Sequence, residues 1–280
     1  MRPRLLCAAC LLFLAACRTH EAPPASIARD PAQTLAPPGP PSGSAAAAAA
    51  AASAPPAAPA ASTTAASDEP ATVARFDVAR DVPASIVHGR DGKPPRIVFL
   101  PGVCSNAYAY LLSFPEAARA HGGVVAIDGD RPCGAEGSGF RSFSWDPARQ
   151  DARLQAAFVA AGVAGEGGEP PDGLTLVGYS AGAGIGELMV QRWPKRYARV
   201  VLIGAPSDPS PARLASAKGV VTMSCSRDVP GRMRDAARRI TAAGVPSTYL
   251  EMPGCTHGNI ADGERVFETA FDWLADNAKE

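Results

Sequence analysis

From residue 72 onward, short runs of apolar residues alternate with longer stretches that have a helical pattern. A continuous apolar run such as Arg96–Leu100 is typical of a strand that is buried on both faces of a sheet. Strands that alternate with helices predict an α/β fold, with a mainly parallel, doubly wound sheet and helices on both faces. The predicted strands are 72–78, 85–88, 96–100, 124–127, 174–177, 199–204, 219–224 and 247–251. The predicted helices are 106–120, 147–162, one that ends near residue 192, 211–217, 230–243 and 262–278.

The first 16 residues have a different pattern, in which two arginines precede an apolar run over residues 5–16. This run is too short to cross a bilayer and is typical of a secretory signal peptide. It ends in Leu-Ala-Ala followed by Cys17, which resembles a bacterial lipobox. The resemblance implies a lipoprotein signal peptide over residues 1–16 and attachment to a membrane through fatty acyl groups, such as palmitate, on Cys17. An ordinary signal peptide is the alternative.

Residues 17–70 are rich in alanine and proline and have no hydrophobic period. Such a composition predicts a disordered tether, which would connect the lipidated cysteine to a catalytic domain over residues 71–280. Arg18 follows Cys17 where a retention signal would place aspartate, which resembles the sorting pattern of outer-membrane lipoproteins. We therefore expect a lipid-anchored protein of the cell envelope, in the outer membrane if the cell has two membranes.

The net charge and the number of cysteines indicate which partners, disulfides and metal sites to expect. The formal net charge is zero and no basic run is interleaved with aromatic residues, which argues against a nucleic-acid partner. Four cysteines remain after the signal peptide and Cys17, and an even number in an exported chain favours two disulfides over free buried thiols. Their long spacing and the lack of a nearby histidine disfavour zinc, so no metal or cofactor is expected. They are Cys104, Cys133, Cys225 and Cys255.

A candidate nucleophile lies between the predicted strand 174–177 and the helix that follows it. The turn there has the sequence Gly178-Tyr179-Ser180-Ala181-Gly182, which fits G-x-S-x-G. A strand–turn–helix of this kind presents the serine hydroxyl at the carboxyl edge of the sheet. Glycines are needed on both sides because the turn brings backbone segments too close together for side chains. In these features the chain resembles the α/β-hydrolase family across about residues 72–280.

The resemblance implies that an acid and then a histidine follow Ser180 in the chain. Of the four histidines, His257 alone comes after Ser180. Asp228, after the penultimate strand, is the candidate acid that would orient His257, and Asp208, after the preceding strand, is the alternative.

The family also implies two backbone N–H groups that would form an oxyanion hole. One would be that of Ala181, and the other that of Val103, with Cys104 as the alternative. Pro101-Gly102 stands where relatives commonly have His-Gly.

The predicted strands place the four cysteines at the carboxyl edge. Cys104 and Cys133 follow neighbouring early strands, whereas Cys225 and Cys255 follow the last two. We therefore predict the bridges Cys104–Cys133 and Cys225–Cys255, the second of which would join the Asp228 loop to the His257 loop.

The function that the resemblance implies is that of an uncapped serine hydrolase, because the segment 205–218 is too short for a lid domain. We expect a carboxylesterase that forms an acyl-enzyme and acts on a small-molecule or surface-presented ester. Peptidase or thioesterase activity on the same triad is the first alternative, and a non-catalytic envelope lipoprotein that serves as a binding module is the second. Phe140, Phe143 and Trp145 would either line the site as an apolar wall or pack within their loop.

Overall fold

The computed structural model describes residues 69–135, 137 and 139–279. Residues 1–16, Cys17 and most of the tether lie outside the described residues, so the predictions for them stay predictions. The strands are β1 (Ala74–Phe76), β2 (Ala84–His88), β3 (Ile97–Leu100), β4 (Gly123–Ala126), β5 (Arg131–Pro132), β6 (Arg141–Ser142), β7 (Leu174–Tyr179), β8 (Tyr197–Ile203), β9 (Gly219–Cys225) and β10 (Ser247–Met252). The helices are α1 (Ala107–Leu111), α2 (Pro115–Ala120), α3 (Pro147–Ala160), α4 (Ala181–Arg192), α5 (Pro230–Ala242) and α6 (Gly263–Asn277), with a short 3₁₀ turn at Glu166–Gly168.

Eight of the strands form one sheet in the order β1-β2-β4-β3-β7-β8-β9-β10. The pairs β1–β2 and β2–β4 are antiparallel, and every later pair in that order is parallel. The predicted mainly parallel sheet is therefore confirmed. In such a sheet the carboxyl ends of the parallel strands meet at one edge, which brings together loops that are far apart in sequence.

Strand β3 is apolar throughout because both of its faces are covered. Val98 and Leu100 pack in a core that also contains residues of α3, α4 and α5. Ile97 and Phe99 pack in a second core with residues of α1, α2 and α6. Since side chains alternate between the faces of a strand, a strand between two cores has no position left for a polar residue.

The prediction of one helix over 106–120 was wrong, because the segment forms two helices. Pro115 is the first residue of α2, and Phe114 before it has φ −152° and ψ 40°. Proline lacks an N–H and disfavours the helical region for the residue before it, so α1 has to end before Pro115.

Two other segments also differ from the prediction. Residues 211–217 form turns instead of a helix, with the N–H groups of Arg213 and Leu214 both donating to the Ser210 carbonyl. The loop 129–144 contains the small hairpin β5–β6, which the sequence pattern did not predict. Both segments are held by contacts with other parts of the chain, described below, rather than by a periodic pattern of their own.

Within the described residues, no helix is both long enough and apolar enough to cross a membrane.

Candidate active site

Ser180 lies in the sharp turn that joins β7 to α4. Its backbone has φ 51° and ψ −116°, a conformation that a non-glycine residue rarely adopts. The Ser180 N–H donates to the Ile203 carbonyl at 2.8 Å, and the Ser180 carbonyl accepts from the Ala183 N–H at 2.9 Å. The strained turn is thus held from both sides, with the serine side chain at the carboxyl edge of the sheet.

The two glycines of the turn are required by close backbone contacts. A Cβ on Gly178 would lie 2.5 Å from the Gly182 carbonyl oxygen, and a Cβ on Gly182 would lie 2.1 Å from the Leu100 carbonyl oxygen. No side chain fits at these separations, so α4 can begin directly against β3 and β7 only with glycine at both positions.

The side chains of Ser180, His257 and Asp228 form a hydrogen-bonded chain. The Ser180 Oγ is 2.9 Å from His257 Nε2, and His257 Nδ1 is 2.7 Å from Asp228 Oδ2. The His257 side chain is 45% exposed, whereas the Asp228 side chain is 10% exposed. A largely shielded carboxylate therefore orients an imidazole that remains open to solvent and to a ligand.

Asp208, the alternative acid, does not reach His257. Its carboxylate is 67% exposed and pairs with Arg232 and Arg239 of α5, at 3.6 Å and 3.3 Å. The structure thus separates two aspartates that the sequence pattern left as alternatives.

Gly204 makes room for the pair formed by Asp228 and His257, and sequence reasoning missed it. Its φ is +51°, and a Cβ there would lie 2.9 Å from Asp228 Oδ2 and 3.2 Å from the His257 ring. A glycine directly after a predicted strand at the carboxyl edge is the signal that could have identified this position.

No model of a known protein family matches the chain, and no curated protein is similar to it in sequence. Solved structures are similar in fold. They include carboxyl esterase 2 from the mycorrhizal fungus Tuber melanosporum, with TM-score 0.52, 14% identity, and coverage of 78% of this chain and 89% of that one. A predicted CIB-like hydrolase from Thermoplasma acidophilum has TM-score 0.52 and 14% identity and covers 74% and 99%. An esterase from Pyrobaculum calidifontis has TM-score 0.51 and 13% identity and covers 75% and 86%.

The chain has the α/β-hydrolase fold. The predicted fold class is thereby confirmed, and at these identities the likeness extends to the fold alone. In the α/β-hydrolase fold, the turn between β7 and α4 is the position at which a nucleophilic serine is presented. Between the end of β8 and the start of β9 the described chain has neither helix nor strand, so no lid domain is inserted there.

Two tyrosines anchor the loop that carries His257, and sequence reasoning did not assign them this role. The Tyr179 hydroxyl accepts from the Gly258 N–H at 2.8 Å and donates to the Asn259 carbonyl at 3.2 Å. The Tyr110 hydroxyl donates to the Gly258 carbonyl at 3.1 Å, and its ring stacks on Tyr179 with 5.0 Å between centroids. Tyr179 is thus both a member of the turn and a support for the residues that follow His257.

A disulfide joins the loop of the acid to the loop of the histidine, as predicted. Cys225 is bonded to Cys255, with 5.0 Å between their Cα atoms. The Arg227 N–H also donates to the Cys255 carbonyl at 3.2 Å. Asp228 and His257, which are 29 residues apart in sequence, are therefore carried by loops that cannot separate.

Replacing Cys225 and Cys255 by alanine together is expected to lower the free energy of unfolding by about 3 to 4 kcal/mol, because a bridge of this loop length restricts the unfolded chain. Urea denaturation of the variant and the wild type measures the difference. Alkylation of the denatured, unreduced protein followed by peptide mass spectrometry should find neither cysteine labelled. Labelling of both would contradict the bridge.

The loop that was predicted to supply the second oxyanion donor lies against the nucleophile. A Cβ on Gly102 would be 3.3 Å from the Ser180 Cβ, and the Ser105 hydroxyl donates to the Gly102 carbonyl at 2.6 Å. Val103 and Cys104 directly follow Gly102, while Ala181 is the first residue of α4. The oxyanion roles of Ala181 and Val103 stay predictions.

A second bridge and a buried carboxylate hold this loop. Cys104 is bonded to Cys133 of the loop that contains β5 and β6. The Ala107 N–H donates to Asp128 Oδ1 at 2.6 Å, and burial raises the pKa of Asp128. The segment after β3 is therefore fastened to the segment after β4.

The aromatic residues of the loop 134–146 divide between core and surface. Phe143 is buried, whereas Phe140 and Trp145 are 51% and 61% exposed. Ordinary loop packing thus applies to Phe143, whereas an apolar wall formed by Phe140 and Trp145 stays a prediction.

Glu187 lies on α4, two turns after the nucleophile, and its side chain is buried. Its carboxylate accepts from the Ser210 N–H at 3.0 Å and lies 3.7 Å from Arg213, which attaches the segment after β8 to α4. Burial raises the pKa of Glu187 from 4.5 to about 7. Sequence reasoning missed this residue, although it is the one charged residue in the run Ala181–Val190.

The raised pKa of Glu187 predicts a pH-dependent stability. Between pH 4.5 and 7 the folded protein keeps a proton that the unfolded chain has released, so this group makes the free energy of unfolding fall as the pH rises. We expect Glu187→Gln, which keeps the acceptor for Ser210, to be more stable than the wild type at pH 8 by up to about 3 kcal/mol and equal to it below pH 4.5. Urea denaturation of both proteins across this range tests the expectation. If the free energies of unfolding of the two proteins differ by the same amount at every pH, Glu187 does not titrate in this range.

Proposed function

We propose that the protein is a serine hydrolase that cleaves carboxylic esters through an acyl-enzyme intermediate. The observation that carries the proposal is the hydrogen-bonded chain from Ser180 through His257 to Asp228, built on a strained turn. A serine hydroxyl is a weak nucleophile at neutral pH, and an adjacent imidazole oriented by a carboxylate is the arrangement that activates it.

In the first half of the reaction, the Ser180 hydroxyl attacks the ester carbonyl carbon and its proton passes to His257 Nε2. Asp228 stabilises the imidazolium through the hydrogen bond to Nδ1. The tetrahedral oxyanion accepts hydrogen bonds from the backbone N–H groups of Ala181 and Val103. His257 then returns the proton to the leaving alkoxide, which departs as an alcohol and leaves the acyl group on Ser180.

In the second half, His257 removes a proton from a water molecule that attacks the acyl-enzyme carbonyl. Collapse of the second tetrahedral intermediate restores the Ser180 hydroxyl and releases the carboxylic acid. The chemistry uses groups of the chain and water only.

An ester is favoured over an amide because an alkoxide leaves more readily than an amide nitrogen. Thioesterase and peptidase activities use the same groups, and a fold by itself does not distinguish them. Some of the structures of similar fold are esterases, which is consistent with an ester substrate. The fold by itself does not identify the substrate.

A fluorophosphonate probe tests the proposal, since it forms a covalent bond with an activated serine. We expect the purified protein to be labelled, and an untreated sample to hydrolyse an ester faster than a thioester or an anilide with the same acyl group. A protein that takes no label and hydrolyses none of the three would be a binding module.

A further inference from the structure

Three large apolar side chains are exposed at the catalytic edge of the sheet. Val103, Phe140 and Trp145 are 54%, 51% and 61% exposed, and we call them the apolar rim. Only two other large apolar side chains in the described residues are as exposed, Leu112 and Val159. Exposed apolar residues that lie together mark a binding surface more often than residues that are scattered singly.

Trp145 lies one helical turn from the nucleophile. A Cβ on Gly184 would be 2.8 Å from the Cη2 and Cζ3 atoms of the indole ring, so the ring rests on the first turn of α4. The Gly184 N–H in turn donates to the Ser180 carbonyl at 3.3 Å. The indole thus packs on α4 one helical turn after Ser180, at a position that has no side chain.

Phe140 is attached to the segment that carries Val103. The backbones of Ser105 and Arg141 exchange two hydrogen bonds, both of 3.2 Å, and thereby join the residues next to Phe140 to the segment after β3. The Cys133 N–H donates to the Phe140 carbonyl at 3.0 Å, and Cys133 is bonded to Cys104. Because these attachments are covalent or paired, the rim is preformed and a ligand need not order it.

The proposed reaction determines whether the acyl part or the alcohol part of an ester contacts the apolar rim. His257 has to return a proton to the leaving oxygen, so the alcohol part lies toward the His257 loop. That loop leads into α6, which packs in the same core as α1 and α2. Trp145 contacts α4, which packs in the core on the other face of the sheet. The acyl part, on the opposite side of the carbonyl from the leaving oxygen, therefore points to Trp145, the rim residue that contacts α4.

We propose that the apolar rim binds the acyl group, and that the substrates are esters of apolar carboxylic acids with a medium-length aliphatic or an aromatic acyl chain. The inference rests on the proposed function of Ser180. Covering the exposed rim with an acyl chain removes apolar surface of both partners from water, which favours such acids over acetate.

Two isomeric esters separate the acyl side from the alcohol side. Ethyl hexanoate and hexyl acetate have the same atoms and differ in which side of the ester bond carries the six-carbon chain. We expect Trp145→Ala to lower kcat/KM for ethyl hexanoate about tenfold and to change that for hexyl acetate less than about twofold. Phe140→Ala should act in the same direction with a smaller effect. Release of acid in a pH-stat measures all of these rates.

Val159→Ala is the matched control, because Val159 is 54% exposed and lies near the end of α3 that is farther from Trp145, about 18 Å from the first residue of that helix. This control should leave both rates unchanged. Equal losses on the two isomers, a selective loss on hexyl acetate, or no loss on either would overturn the acyl assignment while leaving the hydrolase intact. A wild-type protein that hydrolyses neither ester and takes no fluorophosphonate label would instead overturn the proposed function, and this inference with it.

Discussion

Replacing Ser180 by alanine is expected to abolish fluorophosphonate labelling and to lower kcat for ester hydrolysis by about 10⁵- to 10⁶-fold. The alanine removes the single atom that would form the acyl-enzyme, while the turn keeps its two glycines and its hydrogen bonds to Ile203 and Ala183. Folding should therefore be retained, which circular dichroism and thermal unfolding can establish. The remaining rate would come from substrate binding and the oxyanion donors alone.

Ser207→Ala provides a matched control, since Ser207 is an exposed serine that follows β8, the neighbour of β7, on the same edge of the sheet. This variant should label and turn over like the wild type. Labelling that persists in Ser180→Ala, or that is lost in Ser207→Ala, would show that the nucleophile has been assigned to the wrong serine.

The second large effect is expected from the acid. Asp228→Asn should lower kcat by about 10³- to 10⁴-fold, because an amide in place of the carboxylate no longer fixes the imidazole tautomer or stabilises its charged form. Asp208→Asn removes only ion pairs of an exposed carboxylate with α5, and pairs of this kind contribute little. Its kcat should therefore stay within about twofold of that of the wild type.

The pair of aspartate variants gives a direct comparison because each changes one carboxylate to its amide at the end of a neighbouring strand. Steady-state kinetics on one ester at one pH measures both. If kcat falls more in Asp208→Asn than in Asp228→Asn, the acid is Asp208, and the hydrogen bond between His257 and Asp228 does not contribute to catalysis.

Local sequence was sufficient for much of the architecture. The strands were predicted from short β-branched runs because a strand between two cores has to be apolar at every position. The turn around Ser180 was predicted from its two glycines because backbone segments pack there without space for a Cβ. The division of residues 106–120 into two helices could also have been predicted from Pro115, because the rule against proline inside a helix is local.

The packing of helix on sheet placed groups that no local pattern predicts. The support of the His257 loop by Tyr179 and Tyr110, and the burial of Glu187 against Ser210, both join residues that are distant in the chain. The local sequence marks Glu187 as a lone charge in an apolar run, but it does not name the distant group that each of these side chains contacts.

The sequence by itself determined the strands of the eight-stranded sheet, the turn that carries Ser180, and His257 as the one histidine that follows it. The tertiary structure alone separated Asp228 from Asp208. Both follow a strand at the carboxyl edge, but Gly204 and the Cys225–Cys255 bridge leave Asp228 beside His257, whereas α5 holds Asp208 with two arginines. The physical reason is the distance along the chain between the residues that interact. Strand burial and turn geometry are read from neighbouring residues, whereas which carboxylate meets the imidazole depends on loops that meet only once the sheet has formed.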